Sequence, residues 1–69
     1  MLCILTHELY MGGFRDIGMI PKGTVMRVVD ISDNYSVNLV SVRNKYHRLH
    51  LSYKEFRDPS YVHVIDEGV

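Results

Sequence analysis

The run Thr24-Val-Met-Arg-Val-Val-Asp-Ile31 constrains this chain more than any other feature. Its β-branched residues favour extended backbone, where branching at Cβ packs well on a pleated surface. Side chains alternate across a strand, which places Met26 and Val28 on one face and Val25, Arg27, Val29 and Ile31 on the other. Apolar residues therefore stand on both faces. A strand of that kind belongs inside a closed barrel or beneath a partial outer cover. No window holds apolar residues at i, i+3, i+4 and i+7 over three turns, so a helical fold is excluded.

Four further β-rich runs surround it. Leu2 to Leu5 is the first, Val37 to Val42 follows, Tyr46 to Leu51 alternates cleanly, and Tyr61 to Ile65 is the last. In the alternating run Leu49 and Leu51 with His47 share one face, and Tyr46, Arg48 and His50 the other. The breaks between runs carry turn residues: Ile20-Pro-Lys-Gly23, Ser32-Asp-Asn-Tyr35 and Arg43-Asn-Lys45. Between Leu5 and Ile20 lies a long early loop in which Gly12-Gly13 is suited to closing a hairpin. Ser52-Tyr-Lys-Glu55 has the spacing of a capping box, and Asp58-Pro59 soon stops it, which leaves one short 3₁₀ or helical turn. With 69 residues there is room for one core, so residues 1–69 are read as a single all-β domain.

Two segments carry the resemblance to a known architecture. Ile20-Pro-Lys-Gly-Thr-Val-Met-Arg-Val-Val29 looks like the diverging turn and second strand of the SH3-like small barrels. Leu51-Ser-Tyr-Lys-Glu-Phe56, followed by Tyr61-Val-His-Val-Ile65, resembles the helical turn that feeds the last strand of that fold. The resemblance implies a five-stranded SH3-like barrel with a long early loop. It does not carry a ligand, because the polyproline-binding members use a tryptophan and an Ala-Leu-Tyr-Asp-Tyr type segment, and this chain has neither.

Charge narrows the functional classes. Eight basic residues meet eight acidic ones, which argues against diffuse binding to a polyanion. The balance is uneven along the chain: residues 42–57 hold five basic side chains and one acidic, with acidic flanks on either side. Within that segment Arg43, Lys45, Arg48 and Lys54 alternate with Tyr46, Tyr53, His47 and His50. Cations interleaved with aromatics can hold phosphates and stack bases, so Arg43, Lys45, Tyr46, Arg48 and Lys54 form a candidate nucleic-acid surface. The same cations equally guard an edge strand or dock on an acidic protein.

The early loop offers the other candidate. Tyr10, Met11, Phe14 and Arg15, with Tyr35 from a neighbouring turn, supply residue types enriched at protein interfaces. The leading expectation is a non-enzymatic protein-interaction module that binds a protein partner, or a second copy of itself, through these residues. Its compactness also suits a small phage- or mobile-element-encoded inhibitor of a host protein. The nucleic-acid surface is the alternative, and a small-ligand pocket between the early loop and Tyr61 is a third.

Other chemistry finds little footing. His47 and His50 are three apart on a strand and point to opposite faces, and Cys3, His7 and His63 lack the spacing of a zinc site, so no metal is expected. Cys3 sits in an apolar strand with no base tied to it, and no glycine-rich phosphate loop with its lysine occurs. Neither catalysis nor a cofactor is expected. A single cysteine gives no internal disulfide and favours a reducing, cytoplasmic setting. Met1-Leu-Cys-Ile-Leu-Thr6 reads as a strand rather than a signal peptide, and no apolar run reaches the roughly 18 residues that span a bilayer.

Overall fold

A computed structural model describes residues 1–11, 18–32 and 36–66. In chain order the elements are β1 (Leu2–Leu5), β2 (Leu9–Tyr10), β3 (Met19–Ile20), β4 (Val25–Ser32), β5 (Ser36–Ser41), β6 (Arg48–Ser52), α1 (Tyr53–Phe56) and β7 (Val62–Asp66). Five of the strands form one antiparallel sheet in the order β6-β5-β4-β1-β7, and β2 pairs with β3 in a separate two-stranded ribbon.

This corrects the closed five-stranded barrel. The sheet is open, with β6 and β7 as unjoined edges, and the ribbon raises the described strands to seven. The core is closed by side chains instead of by strand pairing. Ile20 from the ribbon and Phe56 from α1 are buried against the inward face, and Leu9, Met11, Tyr53 and Tyr61 pack on the same cluster. Two-residue strands are too short for alternation to register, so the ribbon falls within the segment whose sequence reads as a long early loop. The Gly12-Gly13 turn expected to close it lies outside the described residues.

Alternation explains the inward face. Cys3 lies opposite Met26 and Val64, and Met26 opposite Ser41. Leu39 lies opposite Leu49 and Val37 opposite Leu51, so each buried residue meets another across the ladder. One strand breaks the pattern. In β4, Val28 faces Leu39 but Asp30 faces Asn38, so Val29 is an extra residue. Beyond this bulge the faces exchange: Ile31 pairs with Val37 rather than sharing the face of Val25 and Arg27 as strict alternation predicts, though near the strand end it remains exposed.

Local chemistry sets the element ends. Ser52 caps α1: its Oγ accepts from the Glu55 amide at 3.1 Å, and the Glu55 carboxylate accepts from the Ser52 amide at 2.9 Å. The result is one α-helical turn where a 3₁₀ or helical turn was expected. The turn before β4 places Gly23 at φ 89°, a left-handed region that side chains with a Cβ avoid. Thr24 Oγ1 donates to the Pro21 carbonyl at 2.7 Å and holds that turn closed. No helix among the described residues is long and apolar enough to cross a membrane.

Two substitutions separate packing from backbone strain. A Cβ on Gly23 meets nothing within 4 Å, so Gly23→Ala is expected to cost only the left-handed penalty, about 1–2 kcal/mol. Leu39, fully buried, is expected to lose about 2–5 kcal/mol on Leu39→Ala through transfer and cavity terms. Urea midpoints of both variants check the order. A Gly23→Ala loss equal to that of Leu39→Ala would contradict the open surroundings of the turn.

Candidate binding surface

The outward face of the sheet gathers cations around exposed valines. Register carries Arg27 of β4 opposite Val40 of β5, and Val40 opposite Arg48 of β6, so the two guanidinium-bearing residues flank one half-buried valine. The bulge leaves Val29 about half exposed, at 53%, beside this row, and Val42, just past the end of β5, is similarly exposed at 50%. Lys45 completes the set. Arg27, Val29, Val40, Val42 and Lys45 line a shallow depression of about 220 Å³.

The turn from β5 to β6 is stiffened by its own polar groups. Asn44 Oδ1 accepts from the Tyr46 amide at 3.0 Å, and the Asn44 carbonyl from the His47 amide at 3.0 Å. This is the Asx-type closure that favours asparagine in turns. The Lys45 ammonium stands 5.4 Å from the Tyr46 ring centroid, and Arg48 Nε donates to the Lys45 carbonyl at 3.3 Å. Tyr46 is 77% exposed. Arg27, Lys45 and Arg48 form no ion pair with a described residue. Farther along, His50 Nδ1 and Asn38 Oδ1 are 2.7 Å apart, a contact that ties β6 to β5 on the same face.

The sequence candidates separate under this geometry. Lys45, Tyr46 and Arg48 come together, and Arg43 sits in the same turn but toward the Pro21–Thr24 side. Lys54 does not join them. It lies on α1, beyond the other end of β6, and β6 alone spans on the order of 13 Å at about 3.3 Å per residue. Arg27, Val29 and Val40 were not among the candidates. Alternation placed Arg27 and Val29 together, but only the strand order shows that both lie beside β5 and the basic turn.

The early-loop set is held differently. Met11 packs against the core, its amide donates to the Gly18 carbonyl at 2.9 Å, and its Cε approaches to 2.7 Å of where a Gly18 Cβ would stand. Tyr10 is half-buried in the ribbon opposite Met19. Phe14, Arg15 and Tyr35 lie outside the described residues, as does Ile17. Tyr61 is half-buried against the core. Among the described residues, no three His, Cys, Asp or Glu side chains converge as metal ligands would.

Cys3 is fully buried, and its thiol donates to the Met26 carbonyl at a sulfur distance of 3.6 Å. Burial pushes its pKa from 9.0 up to about 11, with the nearby positive N-terminus pulling weakly the other way. The fold thus binds this proton more tightly than the unfolded chain does. Its stabilising contribution is whole below about pH 9 and is lost as pH rises towards about 11. Iodoacetamide at pH 8 is expected to leave Cys3 unmodified in the native protein and to alkylate it in urea. The wild type is also expected to lose stability relative to Cys3→Ala across that alkaline window. Parallel pH profiles would contradict the burial effect.

Comparison with known proteins finds no matching family model, no matching curated protein and no matching solved structure.

Proposed function

We propose that this chain is a non-enzymatic protein-interaction module, a small SH3-like scaffold in open-sheet form that binds an acidic partner through its outward face. The ribbon inserted between β1 and β4 and the capped turn before β7 support the SH3-like reading. The observation that carries the function is the face itself: Arg27, Lys45 and Arg48, which form no ion pair with a described residue, around Val29, Val40 and Val42. Exposed aliphatics rimmed by cations mark a protein contact, where burial of the valines supplies affinity and the charges steer approach. This reading sets the contact on the sheet; of the early-loop set Met11 packs against the core, and Phe14, Arg15 and Tyr35 lie outside the described residues.

Protein is favoured over nucleic acid by the same residues. Sequence-tolerant binding of a single strand relies on aromatic platforms under successive bases, and among the described residues no aromatic side chain lines this depression. Valines have no π face. They suit the apolar side chains of another protein.

Affinity capture with and without nuclease tests the reading. Wild-type protein is expected to retain a protein partner after nuclease treatment. Arg27→Glu with Arg48→Glu is expected to weaken that capture at least about tenfold, equivalent to about 1.4 kcal/mol, without lowering the melting temperature. Both sites are exposed, so charge reversal there leaves the core intact. Loss of capture on nuclease treatment, or full capture by the double variant, overturns the proposal.

A further inference from the structure

A second concavity adjoins the outward face. A cleft of about 620 Å³ opens between the Pro21–Thr24 turn and the segment from Val42 to His47. Its floor is the pair Val25 and Val42, joined where the Val42 amide donates to the Val25 carbonyl at 3.1 Å. Its walls carry Lys22, Arg43, Asn44 and His47, and no acidic residue lines it. Lys22 and Arg43 are exposed and form no ion pair with a described residue, and the His47 ring has no hydrogen-bond partner among them. At the lip Gly23 presents bare backbone, with open space where a Cβ would be. Val42 also lines the depression of the outward face, so the two surfaces are continuous.

We infer that this cleft receives an acidic–aliphatic peptide segment of the protein partner, with an aliphatic side chain on Val25 and Val42 and a flanking carboxylate between Lys22 and Arg43. The inference rests on the proposed protein-binding role of the adjoining face and names the chemistry that the partner presents to it. Charge complementarity selects the occupant. A guanidinium presents a fork of donors to a carboxylate and an ammonium adds a mobile point charge, so the two cationic wall residues favour an anionic group in the cleft. A free inorganic anion would leave the valine floor uncovered. A nucleic-acid strand would set bases against aliphatic walls. A peptide alternating acidic and aliphatic side chains satisfies floor and walls together.

The test is an amide chemical-shift titration of the ¹⁵N-labelled full chain. The probe is a capped peptide of alternating glutamate and leucine, run beside its glutamine–leucine counterpart and a single-stranded oligothymidylate. The acidic peptide is expected to shift the amides of Lys22, Gly23, Val42, Arg43, Asn44 and His47, and the glutamine peptide to bind at least about tenfold more weakly, a loss of about 1.4 kcal/mol. Lys22→Glu with Arg43→Glu is expected to abolish those shifts while the spectrum stays dispersed. Lys22→Gln with Arg43→Gln repeats the comparison without reversing charge. Equal binding of both peptides, an unshifted cleft, or stronger displacement of the same amides by the oligothymidylate overturns the inference. Shifts confined to Arg27, Val29 and Arg48 overturn the cleft alone and leave the sheet-face reading standing. Cleft shifts that persist in Arg27→Glu with Arg48→Glu support the cleft independently of that face.

Discussion

Met26 is the point where the two halves of the sheet are joined. It stands opposite Cys3 of β1 on one side and Ser41 of β5 on the other, and its side chain is fully buried. Because β4 pairs on both flanks, it alone links the β4-β5-β6 meander to the β1-β7 pair. The hydrophobic effect acts on one face only, so that face needs a cover. A small chain can provide it by closing the sheet or by laying side chains across it. Here Ile20 and Phe56 do so from the ribbon and the helical turn, and the edges stay apart. Openness follows from that choice of cover.

The bulge at Val29 then decides what the other face displays. An extra residue on one strand of an antiparallel pair exchanges the two faces beyond it and increases local twist. Before the bulge, Arg27 points outward opposite Val40; at the bulge, Val29 is left about half exposed beside that row; after it, Ile31 pairs with the buried Val37 yet stays 41% exposed near the strand end. The fold's irregularity and its candidate surface are therefore the same feature. A regular strand would spread its apolar residues along one outward line, whereas this one concentrates them next to the basic turn.

How much of this was legible in the amino-acid sequence depends on range. Strand identity is a local property, and the five long runs lie within one or two residues of β1, β4, β5, β6 and β7. The capping box at Ser52 and Glu55 was equally visible, since its partners are three residues apart. Closure was not. Whether β6 meets β7 depends on how Phe56 and Ile20 fill the space between them, which no periodicity encodes. The same limit applies to the site. Lys45, Tyr46 and Arg48 are near neighbours in sequence and so stand out as a group, but Arg27 joins them only through the register of β4, β5 and β6. Lys54 was grouped with them by sequence proximity, and the length of β6 separates it.

A face that displays valines in a marginally stable small domain must be reconciled with the hazard of self-association. The edges are guarded: Arg48 and His50 stand outward on β6, and His63 on β7, where charge and polarity oppose added strands. At the centre of the outward face Arg27 and Arg48 flank Val40, with Asp30 opposite Asn38 on the same side, and the two guanidinium charges repel a second copy presenting the same residues. Like charges meeting across a two-fold contact disfavour pairing, whereas an acidic partner turns the same residues into attraction. Binding of that kind also feeds back on the fold. A ligand that recognises only the native sheet stabilises it by mass action, about 2.7 kcal/mol at a hundred times its dissociation constant. For a chain of 69 residues, whose core is a single buried cluster, that gain is a substantial share of the roughly 5–15 kcal/mol typical of native domains. The exposed valines contribute little to the free fold, and a partner that covered them would add this gain, which couples the small core to the proposed role.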